Sequence, residues 1–246
     1  MADLKRGYAT TPIQGQAQSV EYDEGLRSYM LGVYNYMAAG VALTGVTAYA
    51  TASYAISNPS VAQAIYGSPL RWVIMLAPLA LVFLLAGGIQ RMSVGAAQAT
   101  FWIYAAIMGV SLSSIFLVYA HASIAQMFFL TAASFGALSL FGYTTKRSLS
   151  GIGNFCFMGL IGIILASIVN IFIGSSAMSF GISVLGILIF AGLTAFDTQR
   201  IKETYFAVQG DTVAMSKSAI MGALNLYLDF INMFLFMLRL FGSSRS

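Results

Sequence analysis

Seven stretches of the chain run for about twenty residues with hardly a charged position. They lie near Ser28–Ala52, Trp72–Gln90, Ala97–Ala120, Ile124–Tyr143, Ile152–Gly174, Ala177–Arg200 and Ser218–Phe241. Apolar residues are continuous within each, without the two-residue alternation of barrel strands, so the stretches read as helices. About 20 apolar residues are what a helix needs to cross a hydrocarbon core of roughly 30 Å. The pattern therefore predicts an all-α membrane protein, a bundle of seven transmembrane helices joined by short connections. Residues 1–27 have no apolar core of their own and are expected to form a polar tail. Residues 28–242 then form the bundle, and 243–246 a short C-terminal tail.

Composition strengthens that reading. Of 246 residues, 59% are hydrophobic and 8% are charged, where a soluble domain carries about 25% charged residues. The mean hydropathy is +0.81. Too few polar residues exist to cover a water-facing surface, so a water-soluble domain is excluded. No secretory signal is visible in the first 27 residues. The single Cys156 cannot form an internal disulfide and reads as a small buried hydrophobe.

The net charge of +4 reflects topology and not a nucleic-acid footprint. With the N-terminus inside, inner segments hold nine cations: Lys5, Arg6, Arg27, Arg91, Lys146, Arg147, Arg200, Lys202 and Lys217. Outer segments hold three: Arg71, Arg239 and Arg245. The bias of basic residues toward the cytoplasm favours a cytoplasmic N-terminus. Seven full crossings put the C-terminus outside. A re-entrant last segment would move Arg239 and Arg245 inside, eleven cations to one, and remains open.

Most polar and small positions in the segments have a packing explanation. Gly40, Gly45, Gly159, Gly162, Ala166 and Gly186 are the small residues that let membrane helices approach. Ser111, Ser113, Ser114 and Asn170 can hydrogen-bond backbone or a neighbouring helix. His121, with no second ligand near it in sequence, reads as a solvated loop residue.

Two carboxylates are different. Asp197 and Asp229 lie within or at the edge of segments, and intramembrane acids cost about 2.5–3.5 kcal/mol at the bilayer centre. Around Asp229, Ser218, Gly222, Asn225, Asp229, Asn232 and Arg239 follow helical spacing along one stripe, with Leu, Ile, Met and Phe opposite. Lipid offers such a stripe no hydrogen-bond partners, so the last helix should be central, its polar face lining an interior path. Stepping back from Asp197 gives Thr194, Phe190, Gly186 and Ser183, a weaker stripe. Alternatively, Asp197 sits at the interface and pairs with Arg200.

The sixth and seventh segments are expected to be antiparallel neighbours across a loop of about twenty residues. Two acids facing each other at low dielectric do not both ionise cheaply, so the pair can hold one proton between them. That would make a pH sensor, and the ionised pair offers hard oxygen ligands suited to Ca²⁺. Hydropathy places the two at depths differing by roughly 10 Å at 1.5 Å per residue. They meet only if the sixth helix runs deeper or the seventh starts later.

"GLTAFDTQRIK" followed by "LYLDFINMFLFMLRLFG" resembles the paired C-terminal signature of the Bax inhibitor-1 family. "VYNYMAAGVALTG" and "GYTTKRSLSGIGNFCFMGLIGIILASIVN" are similar to its bacterial members. The resemblance spans roughly residues 28 to 242. It implies a bacterial inner-membrane protein whose last helix is surrounded by the other six. It also implies a calcium leak gated by paired aspartates, matching Asp197 and Asp229, and in some members a latch arginine, for which Arg91 is the candidate. A membrane partner such as a quality-control protease is also implied.

Three functions follow as expectations. The first is a pH-gated cation leak with Asp197 and Asp229 as sensor and transient calcium site, and Thr194, Asn225, Asn232 and Arg239 along the path. No cofactor is called for beyond the permeant ion. The second is a regulatory protein binding a membrane partner through the tail 1–27 or the loop "KETYFAVQGDTVAMSK". The third is an intramembrane aspartyl protease, which also uses two acids on neighbouring helices. Its disfavouring feature is bulky Tyr227 and Leu228 before Asp229, so a non-enzyme is expected.

Overall fold

A computed structural model describes the backbone of residues 14–245 and the side chains of residues 24–245. Lys5 and Arg6, used above for orientation, lie outside the described residues. Among those described there are seven long helices: α1 (Gln14–Ser57), α2 (Leu70–Gly88), α3 (Val94–Leu112), α4 (His121–Thr144), α5 (Ser150–Ile173), α6 (Ser176–Val208) and α7 (Thr212–Phe241). Short turns at Pro59–Ala62, Gln63–Gly67 and Ile115–Val118 fill the connections.

Six helices, α2 to α7, are long and apolar enough to cross a membrane, α3 being counted through to Val118. The expected seventh, α1, does not reach that threshold. Several of its polar side chains meet protein: Thr44 meets Tyr227, Tyr36 meets Gln98 and Tyr29 meets Ser218. A helix that satisfies its polar groups against neighbours does not need the hydropathy of one bathed in lipid.

Helix ends depart from hydropathy where the chain leaves the apolar layer. α1 begins at Gln14, so residues 14–27 of the expected tail are helical. The expected loop of about twenty residues between the last two helices is nearly absent. α6 continues to Val208 and α7 starts at Thr212. Gly210 (φ 95°) makes the turn, and Asp211 caps α7 by accepting from Val213 N and Ala214 N at 2.9 Å each. Gly in a left-handed conformation after one helix and Asp at the start of the next are local signals that override polarity.

α7 is the interior element. In its most apolar stretch 67% of residues are buried, against 11% in α2 and α5, and it packs on α6, α1, α4 and α3. α5 packs chiefly on α6, and α2 on α3.

Close helix approach is carried by glycines only partly visible in the sequence. Gly40, Gly159 and Gly186 abut Phe101, Ile189 and Phe236, whereas Gly45 and Gly162 face open space. The tightest sites are two others. A side chain on Gly109 would meet Thr47 Oγ1 and lie 2.5 Å from the Thr44 carbonyl oxygen, and one on Gly142 would meet the Ala195 carbonyl. Backbone approaching backbone depends on the partner helix, which spacing along one segment does not report.

Candidate functional site

The register of α6 against α7 is fixed by two close contacts, Ile201 on Gly222 and Phe236 on Gly186. It places Asp197 level with Asn225 and Asp229 level with Thr194, an offset of about one helical turn, roughly 6 Å. Side chains lean toward the N-terminus of their own helix. In an antiparallel pair the two acids therefore lean toward one another, which closes the gap. The Asp197 and Asp229 carboxyls face each other at interaction range, with Arg200 beside Asp197.

Asp229 is 4% exposed, and among the described residues no hydrogen-bond donor reaches its Oδ2. Both acids line a cavity of about 850 Å³ walled by α5, α6 and α7, with Arg200, Asn225 and Asn232 also in its lining. A second cavity of about 300 Å³, nearer the α6–α7 turn, shares Arg200 and Asn225 with it and adds Ser218, Gly222 and Lys217. The polar stripe of α7 thus runs from the smaller cavity to the main one.

Thr194 and Arg239 lie outside both linings. Thr194 is buried and donates to the Phe190 carbonyl at 2.7 Å, and Arg239 is exposed in the last turn of α7. Arg91 is exposed in the turn after α2 and lines neither cavity. His121 opens α4 against the rings of Tyr49 and Phe116.

The residues around Asp197 hold its helix in place. Thr198 donates to Ser139 at 3.3 Å. Gln199 accepts from Leu149 N at 2.7 Å and donates to the Arg147 carbonyl at 2.9 Å. Lys202 donates to the Tyr143 carbonyl at 2.7 Å. The run "DTQRIK" therefore ties α6 to α4 and to the α4–α5 connection, using side chains on successive faces.

Sequence reasoning missed the device that orients Asp229. Tyr227, fully buried, lies 2.7 Å from Thr44 across a hydroxyl–hydroxyl bond, and Thr44 also donates to the Ala105 carbonyl at 2.8 Å. The Tyr227 ring packs edge-on against Tyr104 and Phe101. Two residues apart on a helix, Tyr227 and Asp229 point to nearly opposite sides, so fixing one aims the other at α6. A Tyr directly before "LD" in an apolar run was the available signal, but its partner lies 183 positions away. Tyr227→Phe should cost about 1 kcal/mol, the net value of one hydrogen bond, read as a lowered melting temperature in detergent. Thr44→Val in that background should add less than it does in the native protein.

A bundle whose most buried membrane helix presents a carboxyl to a second one on the neighbouring helix defines a polytopic helical membrane protein with a paired-acid site. The chain belongs to the Bax inhibitor-1 family, its residues 26–246 matching the family model described as Inhibitor of apoptosis-promoting Bax1. It is 46% identical over 223 residues to the inner membrane protein YbhL of Escherichia coli K12, covering 90% of this chain and 94% of that one. Uncharacterised proteins of Caulobacter vibrioides and Rickettsia prowazekii are 44% and 45% identical over the full length of both chains. It is a multi-pass membrane protein.

Proposed function

We propose that the protein is a pH-sensitive cation leak, permeable to calcium, of the bacterial inner membrane, with seven crossings and a cytoplasmic N-terminus. The observation that carries the reading is Asp229. It is buried at the centre of the bundle, beside Asp197 in the lining of one cavity, and among the described residues no donor reaches its Oδ2. A carboxyl kept in so costly a place is a functional-site candidate by default. Ionised, the pair and Arg200 leave the cavity with one net negative charge, which draws cations in. One proton held by the pair brings it to neutrality, so flux should rise from acid toward neutral pH.

Among the described residues no group of three or more His, Cys, Asp or Glu side chains could hold a metal ion. Ca²⁺ takes six to eight oxygens, so two carboxyls and two amides suit an ion in passage better than a resident one. Arg200 supplies the standing counter-charge, and Arg91 reaches the pair only if α2 moves. An aspartyl protease is disfavoured because Leu228, which lines the main cavity beside Asp229, stands where a peptide substrate would have to approach.

The test is calcium entry into liposomes carrying the purified protein and an internal indicator. Entry above that of protein-free liposomes, growing with pH, is expected; no excess at any pH would overturn the reading. Asp197→Asn should flatten the pH profile and lower the neutral-pH flux.

A further inference from the structure

The main cavity has a shape that a passing inorganic ion does not need. Its α5 wall runs from Gly153 to Ile171, about 27 Å at 1.5 Å per residue, and is mostly Phe, Leu and Ile. Among these, Phe157 is 60% exposed and Ile171 78%, so on that side the cavity is open to the surroundings of the bundle, which for α5 are lipid. At about 850 Å³ it falls in the range of cavities that hold drug-sized ligands, about 300–1,000 Å³. Apart from Asn154 and Ser167 on α5, its polar groups lie on α6 and α7 around Asp197 and Asp229, and among the described residues no donor reaches the buried Asp229 Oδ2.

We propose that this cleft between α5 and α7 is a binding site for a lipophilic monovalent organic cation, entered from the bilayer. An ammonium group pairs with Asp229 and Asp197 while its alkyl body lies along the α5 wall. Charge decides the class of ligand. Two carboxyls and the Arg200 guanidinium sum to one negative charge, which a monovalent cation neutralises and a neutral lipid chain or an anion does not. A proton held by the acid pair neutralises the same charge, so proton and organic cation compete for the site.

Among the described residues, the other titratable or charged groups facing the pair are few. They are Arg200 on α6 and the Cys156 thiol on α5; the nearest phenols, Tyr34 on α1 and Tyr104 on α3, meet Thr198 and Tyr227 and not the acids. α4 brings the Ser139 hydroxyl to Thr198, beside Asp197 in sequence. None of them replaces the acids as the cation's partner.

The proposal rests on the same acid pair as the leak but does not require transport, so binding is measured in the absence of flux. The protein is placed in nanodiscs of zwitterionic lipid and titrated with dodecyltrimethylammonium, empty nanodiscs serving as the partition baseline. The neutral alcohol 1-dodecanol is the length-matched control.

Saturable binding of the ammonium is expected, with the alcohol at least ten times weaker. Its affinity should fall as pH is lowered, approaching tenfold per pH unit where one proton is exchanged. Asp229→Asn should weaken binding at least tenfold and remove the pH dependence, and Asp197→Asn does the same should the first variant fail to fold. Ser167→Phe, which fills the α5 wall and leaves both acids, should also weaken binding. Equal saturable binding of the alcohol, or affinity unchanged in both acid variants, would overturn the site. Calcium entry that is absent while the ammonium binds would sink the leak and leave the site standing.

Discussion

Replacing Asp229 by Asn is expected to lower calcium entry at neutral pH by about tenfold or more and to leave it nearly independent of pH. The substitution keeps the volume of the side chain and both heavy-atom positions of the carboxyl, so packing in the bundle is conserved. What changes is charge. With Asp229 neutral, Asp197 and Arg200 sum to zero at neutral pH, and the cavity loses the single negative charge that draws a cation into it. A unit charge at 4 Å is worth about 4 kcal/mol at an effective dielectric of 20, more than a tenfold rate effect requires.

The pH response should disappear because one carboxyl beside a guanidinium no longer has a partner with which to share a proton. The control is structural. Asp229→Asn should melt no lower than the native protein, since a buried oxygen without a partner contributes nothing that an amide cannot match. Flux and pH profile that are native in this variant, in a protein that melts normally, would remove Asp229 from the mechanism.

The second large effect is on folding. Gly142→Leu should destabilise the bundle by about 3 kcal/mol or more, the upper range for forcing extra volume into a packed core. The Gly142 Cα already faces the Ala195 backbone carbonyl, so even a methyl group would overlap it. Backbone on α6 cannot rotate away as a flexible side chain can, so α4 and α6 must separate. Thr198 then parts from Ser139, a contact at 3.3 Å, and Asp197, two residues beyond Ala195, moves with its helix. A lower melting temperature accompanied by a lost pH response is expected. Gly162→Leu is the comparison: it is exposed with nothing within 4 Å, and should change stability by no more than about 0.5 kcal/mol. Equal stability of the two variants would mean that α4 and α6 do not meet as described.

The residues that make the site were readable one by one. Asp197, Asp229, Asn225 and Asn232 stand out because an apolar helix has no reason to carry them unless a protein or aqueous surface receives them. Other features escaped for a common reason. Arg200 was readable as a partner of Asp197, one turn away, but its place between two cavities depends on where α7 passes. Hydropathy marks the edge of the lipid layer, and α6 does not stop there; Gly210 and Asp211 stop it. α1 is less apolar than the other long helices because α3 and α7 receive part of its polar set.

The sequence by itself determined that this is a helical membrane protein, where its apolar helices run, and that two acids need a sheltered partner. Those conclusions follow from the cost of exposing backbone and charge to hydrocarbon, which every residue incurs locally. Only the tertiary structure decided that the acids meet despite a one-turn offset. It also decided that Tyr227, held by Thr44 from across the bundle, aims one of them, and that a long apolar cleft opens beside them. Those depend on helix register and on contacts between positions far apart in the chain, where the deciding energy belongs to pairs of residues and not to any segment alone.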